Sequence, residues 1–187
     1  MTNYCSFAPG QPFHDAYHAT EYGFPQRDEA VLFERLCLEI MQAGLSWGLV
    51  LRRRETMHAA FLGYEVDRVA AMGPEDEARL LADPGIIRNR LKVKAIIANA
   101  QRVAALRDSH GGFAAWLDAH HPRDRSEWVK LFRATFKFTG GEIVGEFLMS
   151  LGYLPGAHVA ECPVYPIVLA RDPPWARGLL IQSPAGA

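Results

Sequence analysis

Hydrophobic positions recur at helical spacing along most of the chain. Between residues 30 and 43 they fall at Leu32, Leu36 and Ala43 and at Phe33, Cys37 and Ile40, the pattern of an apolar stripe on a helix. Asp28 is placed to cap the start of that helix and Gly44 to end it. The same periodicity predicts helices over residues 47–62, over 74–81, where a proline and acidic residues open the first turn, and from the Asp83-Pro84-Gly85 turn to about Arg107. Gly111 and Gly112 then break the chain. Further helices are expected over 113–119, 126–136 and 142–151, with Ser126 as the cap of the second and Glu127 in its first turn. No alternating run marks a strand and no repeat is found, so the class is all-α with short Gly- and Pro-rich turns. From Pro163 onward the chain holds five of its 12 prolines, which predicts an irregular tail over 163–187 with an anchor at Leu179, Leu180 and Ile181.

Composition adds little to this picture until it is read locally. At 187 residues, 49% hydrophobic and 22% charged, the chain fits an ordinary globular domain or two tightly joined lobes. The first residues carry no cationic stretch followed by an apolar core, and the longest uncharged run, Phe147 to Ala160, is interrupted by Gly152, Pro155 and Gly156. Neither a secretory signal nor a membrane span is expected, and the location predicted is cytoplasmic. A net charge of −1 speaks against nucleic acid as a partner. Yet the segment from Pro84 to Arg107 holds Arg88, Arg90, Lys92, Lys94, Arg102 and Arg107 without a single carboxylate. That segment is either a phosphate-binding surface or the solvated face of a helix.

Three patterns carry candidate chemistry. Three cysteines in an intracellular chain leave metal binding, catalysis or burial as the options, and Cys37 fits burial. His158 and Cys162, at i and i+4, share a helix face or a turn; with Cys5 and His18 they complete the two-Cys, two-His set of a closed tetrahedral zinc shell. On spacing alone, unrelated burial of the four is the stronger explanation. Glu39 leans towards the apolar stripe of its helix, as a carboxylate in a pocket wall would, or reaches solvent at the helix edge. The segment Lys137-Phe138-Thr139-Gly140-Gly141, between two expected helices, is a turn whose amides can hold a phosphate, or only a connection.

Taken in order, several strings resemble the type I 3-methyladenine DNA glycosylases, a family of the helix-hairpin-helix glycosylases. They are Cys5 with Ala16-Tyr17-His18, Leu36-Cys37-Leu38-Glu39, Gln42-Ala43-Gly44-Leu45-Ser46-Trp47, Gly85 to Arg90, Ala95 to Ala100, Phe136 to Gly140, and His158 through Cys162. The resemblance covers residues 5 to 162 and implies one helical glycosylase domain over 1–162, built of two closely packed lobes with a pocket between them. It implies hydrolysis of the N-glycosidic bond of 3-methyladenine in alkylated double-stranded DNA, by a monomer, leaving an abasic site.

The residue roles implied by that resemblance follow one by one. Cys5, His18, His158 and Cys162 would hold a structural zinc ion. Glu39 would accept hydrogen bonds from the extruded base and favour its positive charge, with Tyr17, Trp47, Tyr22, Phe7 and His14 as the aromatic surroundings. Leu45 would fill the gap left in the duplex. Lys137, Thr139, Gly140 and Gly141 would grip phosphates, with Arg88 and Arg90 adding backbone contacts. The chain departs from the family at Cys5-Ser6-Phe7, where Cys-Gly-Trp is usual, at Thr20-Glu21-Tyr22-Gly23, where Asn-Glu-Trp-Gly is usual, and at His14, where many members have tyrosine. Those departures motivate an alternative, a non-catalytic zinc-containing binder of damaged DNA. A zinc hydrolase is disfavoured because a full shell leaves no position for water.

Overall fold

A computed structural model describes residues 3–180. Among them the chain forms twelve α-helices and no strand. They are α1 (Tyr4–Phe7), α2 (His14–Thr20), α3 (Glu29–Gln42), α4 (Trp47–Ala60), α5 (Val66–Ala70), α6 (Pro74–Ala82), α7 (Arg90–His110), α8 (Phe113–His120), α9 (Arg125–Thr135), α10 (Gly141–Ser150), α11 (Tyr165–Leu169) and α12 (Pro174–Leu180). They fall into two compact units. The first takes the chain up to Pro25 and from Gly145 onward; the second runs from Gln26 to Val144.

The second unit is organised around α3, which packs on α4, α5, α7 and α8. Asp28 caps it as expected, accepting from Val31 N at 3.0 Å. Enclosure on so many sides corrects the helical-wheel reading of this segment. Every residue from Leu32 to Met41 is buried, including Glu34 and Arg35, so Glu39 is not distinguished by its face. Glu34 is accounted for by a bidentate pair with Arg54, at 3.1 and 3.0 Å.

Helix α7 begins at Arg90, five residues after Gly85, because Asn89 caps it by accepting from Leu91 N and Lys92 N. It continues to His110, where Gly111 takes up the left-handed conformation at φ 82°. Helix α9 is capped by Asp124 rather than Ser126: Glu127 N donates to Asp124 Oδ1 and Asp124 N to Glu127 Oε2, a reciprocal box. Trp116, Trp128, Phe132 and Phe136 pack ring against ring between α8 and α9, Trp116 edge to face with Phe132 and Phe136, so the chain leaving α9 starts from a fixed position.

In the first unit, the described part of the segment beyond Cys162, residues 163–180, is not irregular. It carries α11 and α12, with Val168 and Ala176 buried, because Pro166 and Pro174 stand in first turns, where proline is tolerated. The anchor expected at Leu179, Leu180 and Ile181 lies outside the described side chains. No helix among the described residues is long and apolar enough to cross a membrane.

Candidate functional site

Four side chains far apart in sequence converge in the first unit. Cys5 lies on α1, a single turn capped by Asn3, whose side chain accepts from Ser6 N at 2.9 Å. His18 is buried on α2. His158 and Cys162 are carried by a turn rather than a helix, closed by Cys162 N donating to Val159 O at 3.0 Å. Sulfur to ring-nitrogen distances are 3.6 Å for Cys5 with His158 Nδ1, for Cys162 with His18 Nε2 and for Cys162 with His158 Nδ1. One ligand atom from each residue lies within 4.8 Å of all the others, so the group could hold a metal ion.

The surroundings prepare both histidines as ligands. His158 Nε2 bonds the Tyr22 carbonyl at 2.7 Å, which fixes the proton there and turns the Nδ1 lone pair into the cluster. Burial, and then the neighbouring His158, hold His18 below its ordinary pKa, and burial does the same for His158. The burial thus favours the neutral imidazole, the form a metal binds. Burial pushes the Cys5 thiol up, a sign that a divalent cation at the centre would reverse.

An aromatic cluster adjoins these four. Tyr4 bonds His14 Nδ1 at 3.1 Å and turns its ring against those of His14, His18 and Tyr22. Phe7 lies edge-on to His14 at 5.1 Å, and Tyr17 lies 5.7 Å from Tyr22, whose hydroxyl donates to Glu146. The structure thus gathers Phe7, His14, Tyr17 and Tyr22 around Cys5, His18, His158 and Cys162. Sequence reasoning missed Tyr4, for which no periodic signal exists, and Gly23, whose signal was a glycine between two aromatics.

The second unit holds the remaining candidates. Glu39 is 5% exposed on α3. After α3, Gly44 takes φ 79° and presents Leu45, 39% exposed, while Trp47 is half-buried in the first turn of α4. Lys92, from the first turn of α7, is buried and donates to Met41 O at 2.8 Å and Ala43 O at 2.6 Å. It was missed as a site residue although it shares the buried face of α7 with Ile96, Asn99 and Val103, where a lysine is anomalous.

The turn between α9 and α10 differs from its expected build. Its positive φ belongs to Phe138, at 59°, and neither Gly140 nor Gly141 has one, so glycine freedom is not what shapes it. Thr139 is buried, with its hydroxyl towards Phe136 O at 3.4 Å, which leaves its amide rather than its side chain for a ligand. The backbone of Lys137 is held from both sides by Asn99, Nδ2 to Lys137 O at 3.0 Å and Lys137 N to Oδ1 at 2.7 Å. Arg133, Phe136 and Ile143 line an open depression of about 490 Å³ with this turn.

The basic run is weaker than its count of charges. Arg107 is bound by Glu29 and Asp67, Arg90 and Lys94 approach Glu77 at 3.9 and 3.8 Å, and Lys92 is buried. Arg88 and Arg102 make no ion pair among the described residues.

Residues 7–130 match the sequence pattern of the methyladenine glycosylase family. The chain belongs to it. It is 37% identical over 181 residues to DNA-3-methyladenine glycosylase 1 of Escherichia coli (strain K12), covering 87% of this chain and 96% of that protein. It is 31% identical to the DNA-3-methyladenine glycosylase of Haemophilus influenzae, over 87% and 98%. Among solved structures, 3-methyladenine DNA glycosylase I from Staphylococcus aureus, described for its recognition of 3-methyladenine, superposes with a TM-score of 0.77 at 30% identity, over 87% of this chain and 96% of that one. A tyrosine-to-phenylalanine variant of a 3-methyladenine DNA glycosylase I, in complex with 3-methyladenine, gives 0.78 at 30%, over 87% and 97%. In this methyladenine glycosylase chain the departures at Phe7, His14 and Tyr22 fall in one aromatic cluster, where Tyr4 holds His14 in place.

Proposed function

We propose that the chain hydrolyses the N-glycosidic bond of 3-methyladenine in alkylated double-stranded DNA, releasing the base and leaving an abasic site. Similarity over nearly the whole length of two DNA-3-methyladenine glycosylases carries the reading, together with a carboxylate, Glu39, buried on α3. Methylation at N3 makes the base a cation and hence a good leaving group, so recognition and electrostatic help matter more than a strong general acid. The glycosidic electrons leave with the base, which departs neutral, and water adds at the sugar carbon and gives up a proton. Glu39 accepts hydrogen bonds from the base and favours its positive charge. Trp47 stacks on it, and Tyr17, Tyr22, Phe7 and His14 supply further aromatic surface. Leu45 fills the vacated stack.

The turn from Lys137 to Gly141 acts as the hairpin of a helix-hairpin-helix element, binding phosphates through backbone amides, with Arg88 and Arg90 alongside. Cys5, His18, His158 and Cys162 would hold a zinc ion in a structural role. A tetrahedral zinc ion, with bonds of about 2.3 Å to sulfur and about 2.1 Å to nitrogen, separates neighbouring sulfur and nitrogen ligands by about 3.6 Å. The Cys5–His158, Cys162–His18 and Cys162–His158 separations all have that value. Two Cys and two His fill the shell, so the ion would stabilise the fold and take no water.

Release of free base from methylated DNA, wild type beside Glu39→Gln, tests the reading. The variant is expected to excise on the order of 100-fold more slowly while keeping its helical spectrum, since charge is removed and shape retained. A folded wild type that released no 3-methyladenine would overturn it.

A further inference from the structure

The end of α3 is held by a residue from another helix, and that end leads directly to Leu45. A helix leaves its last carbonyls without intrahelical partners. Two of them are closed locally: Ile40 O accepts from Ala43 N and Gln42 O from Leu45 N. Met41 O and Ala43 O are closed by Lys92 Nζ, reaching across from α7. Lys92 is 4% exposed, and its ammonium bonds only carbonyls among the described residues.

A buried ammonium is a costly way to end a helix. A left-handed glycine followed by backbone amides closes many helices with no charge at all, and Gly44 already has that conformation. What a backbone cap does not supply is a lateral brace. A Cβ on Gly44 would meet nothing within 4 Å, so the turn stands clear at its apex, and the next residue, Leu45, projects from it. Lys92 grips the carbonyl on either side of Gln42 and so ties both the last turn of α3 and the start of the Gly44 turn to the first turn of α7.

We infer that Lys92 is a positioning residue for Leu45, holding the Met41 to Leu45 turn in the conformation in which Leu45 enters the duplex. The inference rests on the gap-filling reading of Leu45 given above. Insertion of an apolar wedge has to offset the unstacking of bases, and a turn that must first be ordered spends part of the available interaction on its own entropy. A braced turn arrives ordered.

The test uses a duplex with an abasic-site analogue flanked by 2-aminopurine, whose fluorescence reports filling of the gap, beside base release from methylated DNA in single turnover. Wild type is expected to change the fluorescence at saturation, and Leu45→Ala to abolish the change. Lys92→Met is expected to bind the duplex but lose most of the change, to excise about tenfold more slowly or worse, and to show no further loss when combined with Leu45→Ala. Free 3-methyladenine should bind Lys92→Met as it binds wild type, which a general loss of structure would not allow. Lys92→Gln, which keeps a donor, should fall between the two. A folded Lys92→Met giving the full wild-type signal would overturn the inference. So would losses that add to those of Leu45→Ala, or collapse of both Lys92 variants, which would make Lys92 a stability residue only. A wild type that gave the signal but released no base would sink the glycosylase reading and leave this one standing; the reverse would sink Leu45 and Lys92 together.

Discussion

A methyl group on Gly23 would lie 2.9 Å from Ala157 Cβ and 3.2 Å from His158 Cδ2, at a φ of 86° that L side chains rarely adopt. The residue therefore carries two constraints at once, backbone conformation and close approach to a ligand of the Cys/His cluster. Gly23→Ala is expected to cost roughly 1–3 kcal/mol and to loosen His158, which also depends on the Tyr22 carbonyl next to it. Thermal melts with and without added zinc check this: the variant should melt lower and need more zinc to recover. Unchanged melting would mean that the two segments move apart without penalty. Residue type told the roles of Cys5, His18, His158 and Cys162 only through the strings around them, since i,i+4 spacing of one pair is compatible with many structures. Glu39 shows the opposite limit. Its burial was legible in part from the stripe beside it, but Glu34 is equally buried and pairs with Arg54, a partner 20 residues away that no wheel can reveal.

Element by element, legibility followed the caps. Asp28 before α3, Pro74 opening α6 and Gly111 after α7 act locally, through hydrogen bonds or φ angles set within a few residues, and they stand where the pattern put them. Elements under two turns were missed: α1, α2 and α5 are too short to display a period, and α11 and α12 were hidden by their prolines. The turn between α9 and α10 shows what locality cannot supply. It is shaped by Asn99, fully buried on α7 and bonded twice to the backbone of Lys137. Asn99→Ala leaves Lys137 N and O unpaired at that site and should cost roughly 1–3 kcal/mol of stability. Because the amides of the turn lose their fixed aim, affinity for duplex DNA should fall several-fold, read by fluorescence anisotropy at fixed salt. Unaltered affinity in a destabilised variant would confine Asn99 to stability.

At the scale of the whole molecule, the Cys/His cluster joins residues 5–18 to residues 158–162, segments that are remote in sequence and share one unit. A metal there closes a long loop, and in the unfolded chain no such site exists, so its binding energy adds to folding. Removal of zinc by a chelator is expected to lower the melting temperature by ~10 °C or more, corresponding to a few kcal/mol in a chain of this size. Excision should decline only as the protein unfolds. A metal-free sample with an unchanged melting temperature would contradict the structural role. Acidification should act in the same direction, because protons compete with the metal for thiolates and imidazoles.

Periodicity, capping residues and the run of family strings were enough to determine an all-helical chain, most of its longer helices and the residue types of a glycosylase, since each depends on neighbours within a few positions or on residue identity itself. Tertiary structure alone decided which polar residues are buried and why. The ammonium of Lys92 lies 49 residues from the Ala43 carbonyl it holds, Asn99 lies 38 from Lys137, and His158 lies 136 from the Tyr22 carbonyl that fixes its proton. Such partners meet only when the chain has packed, so the hydrogen bonds that make their burial tolerable leave no local trace.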